Sequence, residues 1–134
     1  MKRLAVLVFT LTLVFALVGC VGVTSGKGLL KEGTVKSVSV SSLPEGYSYS
    51  FSGEEAMAVV GYIQDLNLTA KFEENPNDYD GLTWVITFKY DNGKVLKLYH
   101  FGNMFIGTED GKWYKMKTEE ANCFGELLSE LKSR

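Results

Sequence analysis

Hydrophobic and polar positions divide the chain into three regimes. Leu4 to Val18 is fifteen residues without a charge, preceded by Lys2 and Arg3 and followed by Gly19 and Cys20. A basic flank, a short apolar stretch and small residues at its end make a signal-peptide profile, since a spanning helix needs about 20 apolar residues. Val21 to Gly33, VGVTSGKGLLKEG, holds four glycines without a period and reads as a flexible tether. From Thr34 onward the pattern takes on the periods of secondary structure.

In TVKSVSVSS, Val35, Val38 and Val40 alternate with polar residues, which predicts a first strand at a sheet edge. LPEGYSYS then turns the chain. Ser52 followed by Glu55 has the spacing of a capping box, and Ala56, Val59, Val60, Ile63 and Leu66 recur on one helical face. TWVITFKY alternates Trp84, Ile86, Phe88 and Tyr90 against Val85, Thr87 and Lys89, and DNGK predicts a two-residue hairpin loop into VLKLYHF. With Asn92 and Gly93 as that loop, Tyr90 pairs with Val95, Phe88 with Lys97, Ile86 with Tyr99 and Trp84 with Phe101. His100 then faces Val85 on the other side of the sheet. NMFIGT and KWYKMK, joined through Glu109, Asp110 and Gly111, predict a second hairpin. Thr118 caps a last helix with Phe124, Leu127, Leu128 and Leu131 on its apolar stripe. The order β-α-β-β-β-β-α predicts one α+β domain over 34–134, a four- to five-stranded antiparallel sheet with two helices packed on one face.

LVGC, Leu17 to Cys20, explains why one of only two cysteines closes the apolar run. It resembles the bacterial lipobox. That resemblance implies a signal peptide over 1–19 and diacylglyceryl transfer to the Cys20 thiolate, followed by a tether over 20–33. Two acyl chains anchor durably where one holds only marginally. The whole layout resembles small membrane lipoproteins of Gram-positive bacteria: lipobox, glycine-rich tether, GEEAMAVVGYIQDL helix, VITFKYDNGK hairpin and short C-terminal helix. The first helix and meander are also similar to cystatin-like and PepSY-like modules of envelope proteins. These resemblances imply a domain on the extracytoplasmic side of the cell membrane, held to the bilayer through Cys20, with an envelope protein as its partner. The group supplies no catalytic residues to carry over.

Charge narrows the partners further. The chain has a net charge of −2, and without Lys2 and Arg3 twelve basic side chains face sixteen acidic ones, a net of −4. Nucleic-acid binding rests on clustered Lys and Arg, and no basic run occurs.

Candidate chemistry is sparse. His100 is the only histidine, and a nucleophile needs a base beside it. Cys123 falls next to the Phe124 stripe, which predicts a small buried thiol. Glu73, Glu74, Asp78, Tyr79 and Asp80 gather in EENPNDYDG, the place where a ligand or partner loop is most expected. An EF-hand register with Gly81 as its glycine puts Pro76 first and Thr87 last, so no calcium loop is predicted and the stretch reads as a solvated turn. Trp84 and Trp113 fill a core or line a sugar or peptide groove. The expectation is a non-catalytic binding or accessory module without a cofactor. The alternative is an envelope hydrolase or metal-assisted enzyme whose site assembles only in three dimensions.

Overall fold

Alternation of apolar and polar residues builds the strands, and a computed structural model describing residues 24–44 and 46–132 shows their assembly. The strands are β1 (Thr24–Ser25), β2 (Val35–Leu43), β3 (Ser48–Ser52), β4 (Asn67–Thr69), β5 (Thr83–Tyr90), β6 (Val95–Phe101), β7 (Phe105–Thr108) and β8 (Trp113–Met116). They form one antiparallel sheet in the order β1-β4-β8-β7-β6-β5-β2-β3. Helices α1 (Gly53–Asp65) and α2 (Thr118–Lys132) cover one face. Among the described residues no helix is long and apolar enough to cross a membrane.

The α+β class and the two helices are found, but the sheet is larger than the four to five strands expected. Among the described residues it has eight strands, seven of them beyond the two-residue β1. The additional strands are short or lie in stretches with turn chemistry. β3 alternates Tyr49 and Phe51 with serine and begins inside the stretch read as a turn, and β4 is three residues long with only Leu68 buried. Because β3 takes the edge, β2 is internal, between β5 and β3.

The β5–β6 register also differs, by one residue. Lys89 pairs with Val95, Phe88 with Leu96, Ile86 with Leu98 and Trp84 with His100. The reason lies in the turn: Tyr90 N donates to Lys94 O at 3.0 Å, Gly93 N donates to Tyr90 O at 3.0 Å, and Gly93 has φ +86°. That is a three-residue loop closed by a left-handed glycine, not a two-residue one. A one-residue slip flips every side chain to the other face. Leu96, Leu98 and His100 therefore enter the core, and Lys97, Tyr99 and Phe101 leave it. The helix starts shift as well. Ser52 stands at the N-cap of α1 without a side-chain capping bond, and Thr118 is already helical.

The inner face packs Val38, Val40, Phe51, Ile86, Phe88, Leu98 and Ile106 against Val59, Ile63, Phe124 and Leu128 of the helices. The outer face carries a smaller aromatic cluster. Phe105, fully buried, is covered by Phe72 at 5.4 Å and Tyr79 at 5.6 Å between ring centroids. Both coverers come from the connection between β4 and β5.

Residues 24–33, within the stretch read as a tether, are structured. β1 pairs with β4, and a 3-10 turn over Gly26–Leu29 buries Gly26 and Leu29. Gly26 N donates to Leu66 O at 2.9 Å, and Lys31 N donates to the Tyr90 hydroxyl at 3.0 Å. Glycine is required at position 26 because a Cβ there would lie 1.6 Å from Ile63 O. Gly26→Ala is expected to undock this segment, costing about 1–3 kcal/mol as overpacking does. Urea unfolding should register the loss, and limited proteolysis should cut within 24–33 in the variant before the rest of the domain.

Candidate functional site

β3 ends the sheet, so one of its sides presents unpaired backbone N–H and C=O groups. Natural edges are blunted by charge, proline or bulges. SYSFS has none of these. The hairpin leading into it is closed by buried Ser42, whose hydroxyl accepts from Tyr47 N at 2.9 Å and donates to Pro44 O at 3.1 Å. That closure delivers Tyr47 to the rim of the helix-covered face. Tyr47, Tyr49 and Phe51 then form a row of near-parallel rings, with centroids 6.5 and 6.1 Å apart and planes within 8°. Trp84 tilts against both tyrosines at 5.9 and 6.1 Å.

The helices complete a cleft beside this edge. Lys132, near the end of α2, places its ammonium 5.7 Å from the Tyr49 ring, and Glu55 comes from the first turn of α1. The cleft measures ≈530 Å³ and is lined by Tyr47, Ser48, Tyr49, Ser50, Glu55 and Lys132. It is open to solvent, with Tyr47 55% exposed at its rim. On the opposite face of the strand only hydroxyls project: Ser48 faces Ser41, Ser50 faces Ser39 and Ser52 faces Ser37. Such an edge can take an extended chain by main-chain hydrogen bonds, with rings, one cation and one anion to select its side chains.

His100 lies elsewhere, 2% exposed on the inner face. Tyr62 Oη is 2.9 Å from His100 Nε2 and 3.1 Å from Glu120 O. His100 and Tyr62 both stack on Phe124, at 4.7 and 4.9 Å. Nδ1 is buried without a hydrogen-bond partner among the described residues. Burial pushes the His100 pKa down to about 4. Burial, with smaller contributions from Cys123 and Glu120, raises that of Tyr62.

Of the sequence-derived candidates, Cys20 lies outside the described residues. Glu73, Glu74, Asp78, Tyr79 and Asp80 do not converge. Glu74 pairs with Lys115 of β8, which holds its carboxyl below the usual range, Tyr79 packs on Phe105, and Asp78 sits in a 3-10 turn capped by Asn75. Among the described residues no group of three or more His, Cys, Asp or Glu is placed to hold a metal. Trp84 and Trp113 are on opposite faces and share no groove, the Trp113 ring lying over Gly107. Cys123, expected to be buried, is exposed, because the stripe runs through Ala121, Phe124, Leu128 and Leu131 and turns position 123 outward. Tyr47, Tyr49 and Lys132 escape the sequence reading, although the period-two YSYSF over 47–51 was a visible signal for the two tyrosines.

His100 makes stability depend on pH. Its folded pKa, about 4, lies below the ordinary 6.5, so on acidification the unfolded chain takes up the proton first. The contribution is fully present above pH 6.5 and is lost as pH falls through about 4, amounting to on the order of 3 kcal/mol. Urea unfolding of wild type and His100→Phe at pH 7, 5.5 and 4.5 should show a steeper acid loss in wild type. Cys123 should react with a thiol reagent in the folded state at nearly the rate of a free thiol. Protection lifted only by denaturant would contradict its exposed position.

No family model matches the chain, and no curated protein and no solved structure matches it.

Proposed function

We propose that the chain is a membrane lipoprotein, acylated at Cys20, whose extracytoplasmic domain is a non-catalytic binding module that receives an extended peptide segment along β3. The observation that carries this reading is the uncharged, unblocked β3 edge opening onto the Tyr47–Tyr49 cleft. Backbone groups on the edge supply affinity without regard to sequence, and the ring row with Lys132 and Glu55 supplies selectivity. A hydrolase built on His100 finds no support in this geometry, since the ring is in the core, bonded to Tyr62 and away from the cleft.

Chain length supports the arrangement at the membrane. Three residues separate Cys20 from Thr24, a reach of roughly 14 Å at full extension. An acylated Cys20 thus holds the β1 edge close to the bilayer. Seven strand spacings of about 4.8 Å place β3 roughly 34 Å away across the sheet, clear of the anchor.

Two measurements test the reading. Cys20→Ser should abolish fatty-acid labelling and release the chain from membranes or leave an unprocessed precursor. A photocrosslinking residue at Tyr47 of the full-length chain in intact membranes should give discrete adducts, and the same residue at Lys97 on the outer face should give none. Equal crosslinking from both positions would defeat the edge site.

A further inference from the structure

Resting on that binding reading, we propose that the segment received by the β3 edge is β3 of a second copy of this chain, paired antiparallel about Ser50. By side-chain class, Ser48-Tyr49-Ser50-Phe51-Ser52 reads the same in both directions. An isologous contact requires this, because residue i of one copy must suit residue j of the other and the reverse. Centred on Ser50, the pairing sets Ser50 against Ser50, Tyr49 against Phe51 and Ser48 against Ser52. Opposed residues of an antiparallel pair share a face, so rings meet rings on the helix side and hydroxyls meet hydroxyls on the other. The fold already makes the hydroxyl half of this pattern, where Ser48, Ser50 and Ser52 face Ser41, Ser39 and Ser37 of β2.

Charge fits the same axis. β3 carries no charge to be set against its own copy. The two-fold axis of an antiparallel pair is normal to the sheet and brings the Ser52 end of each strand to the Ser48 end of the other. Glu55 follows Ser52, and Lys132 lies over Tyr49. The rotation therefore carries Lys132 of one copy toward Glu55 of the other, opposite charges at both ends of the joint cleft. The axis is also compatible with two anchors in one bilayer, since it turns the same sheet face of both copies toward the membrane. Five paired residues and their aromatic neighbours make a smaller contact than the roughly 1,200 Å² at the lower end of stable interfaces. Confinement of both copies to one membrane raises their effective concentration and offsets that deficit.

The test uses the full-length lipidated chain in its own membranes. In a Cys123→Ser background, Ser50→Cys places two thiols on directly opposed residues, with Cα atoms about 4.5–5.5 Å apart, inside the range a disulfide spans. Mild oxidation should convert most of the protein to a species of twice the chain mass, while Lys97→Cys treated alike should give several-fold less. Independently, Ser50→Lys sets like charges directly opposite one another and should shift the full-length chain in its membranes from dimer to monomer, read as several-fold fewer Tyr47 photoadducts of twice the chain mass, with circular dichroism unchanged. Equal crosslinking of Ser50→Cys and Lys97→Cys, or a Ser50→Lys chain that remains dimeric, overturns the proposal. A disulfide from Ser50→Cys to a different protein also overturns self-pairing but leaves the edge-binding reading standing. Loss of both the disulfide and the Tyr47 adducts brings down the two together.

Discussion

The turn at Asp91 to Gly93 is the constraint on which the rest of the domain depends, because it decides which side of β6 is buried. Gly93 at φ +86° closes the loop at a cost any side chain would feel, and Asn92 Oδ1 accepts from Lys94 N at 3.0 Å to hold it. With that loop, Leu96, Leu98 and His100 join Ile86, Phe88 and Tyr90 on one surface, and both helices have a continuous face to cover. With a loop one residue shorter, Lys97 would enter the core. The N-terminal segment is tied to the same corner, where Asn92 Nδ2 donates to Glu32 O at 3.4 Å and the Tyr90 hydroxyl accepts from Lys31 N at 3.0 Å.

A polar pair sits at the centre of this core. A histidine and a tyrosine stacked on Phe124 form a hydrogen-bonded pair whose outlet is the Glu120 carbonyl. It links β6, α1 and α2 with directional bonds, whereas the surrounding Leu, Ile and Val contacts fix no orientation. Glu120 adds a second tie, its carboxylate accepting from Asn67 N at 3.0 Å and Asn67 Nδ2 at 3.1 Å at the start of β4. The first turn of α2 thereby holds both the centre of the helix layer and the far end of the sheet.

Elements with a long period were legible in the sequence, and those set by neighbours were not. The α1 face Ala56, Val59, Val60, Ile63 and the α2 stripe needed only their own spacing, as did the β7–β8 hairpin around Gly111. β4 offers a single buried residue, Leu68, and becomes a strand only because β8 and β1 lie on either side of it. The β6 register carried a warning in Lys97, a charge that the two-residue loop would have aimed at Phe88. The candidate loop was conspicuous through its carboxylates, yet its structural contribution comes from Phe72 and Tyr79, which shelter Phe105. The edge cleft stayed hidden because it joins β3 to Lys132, residues from opposite ends of the domain.

The strand order bears on how the chain can assemble as it emerges from its N-terminus. α1 leaves β3 at one edge of the sheet and delivers β4 to the other, so β4 has no neighbour on its inner side until β8, among the last strand residues, is available. β1 in turn waits for β4. The hairpin of β2 with β3 and the meander from β5 to β8 join residues near in sequence and can close early, whereas β1, the first strand among the described residues, is among the last secured. The β1 edge is thus the final seam of the sheet, closed only when nearly the whole chain has been delivered.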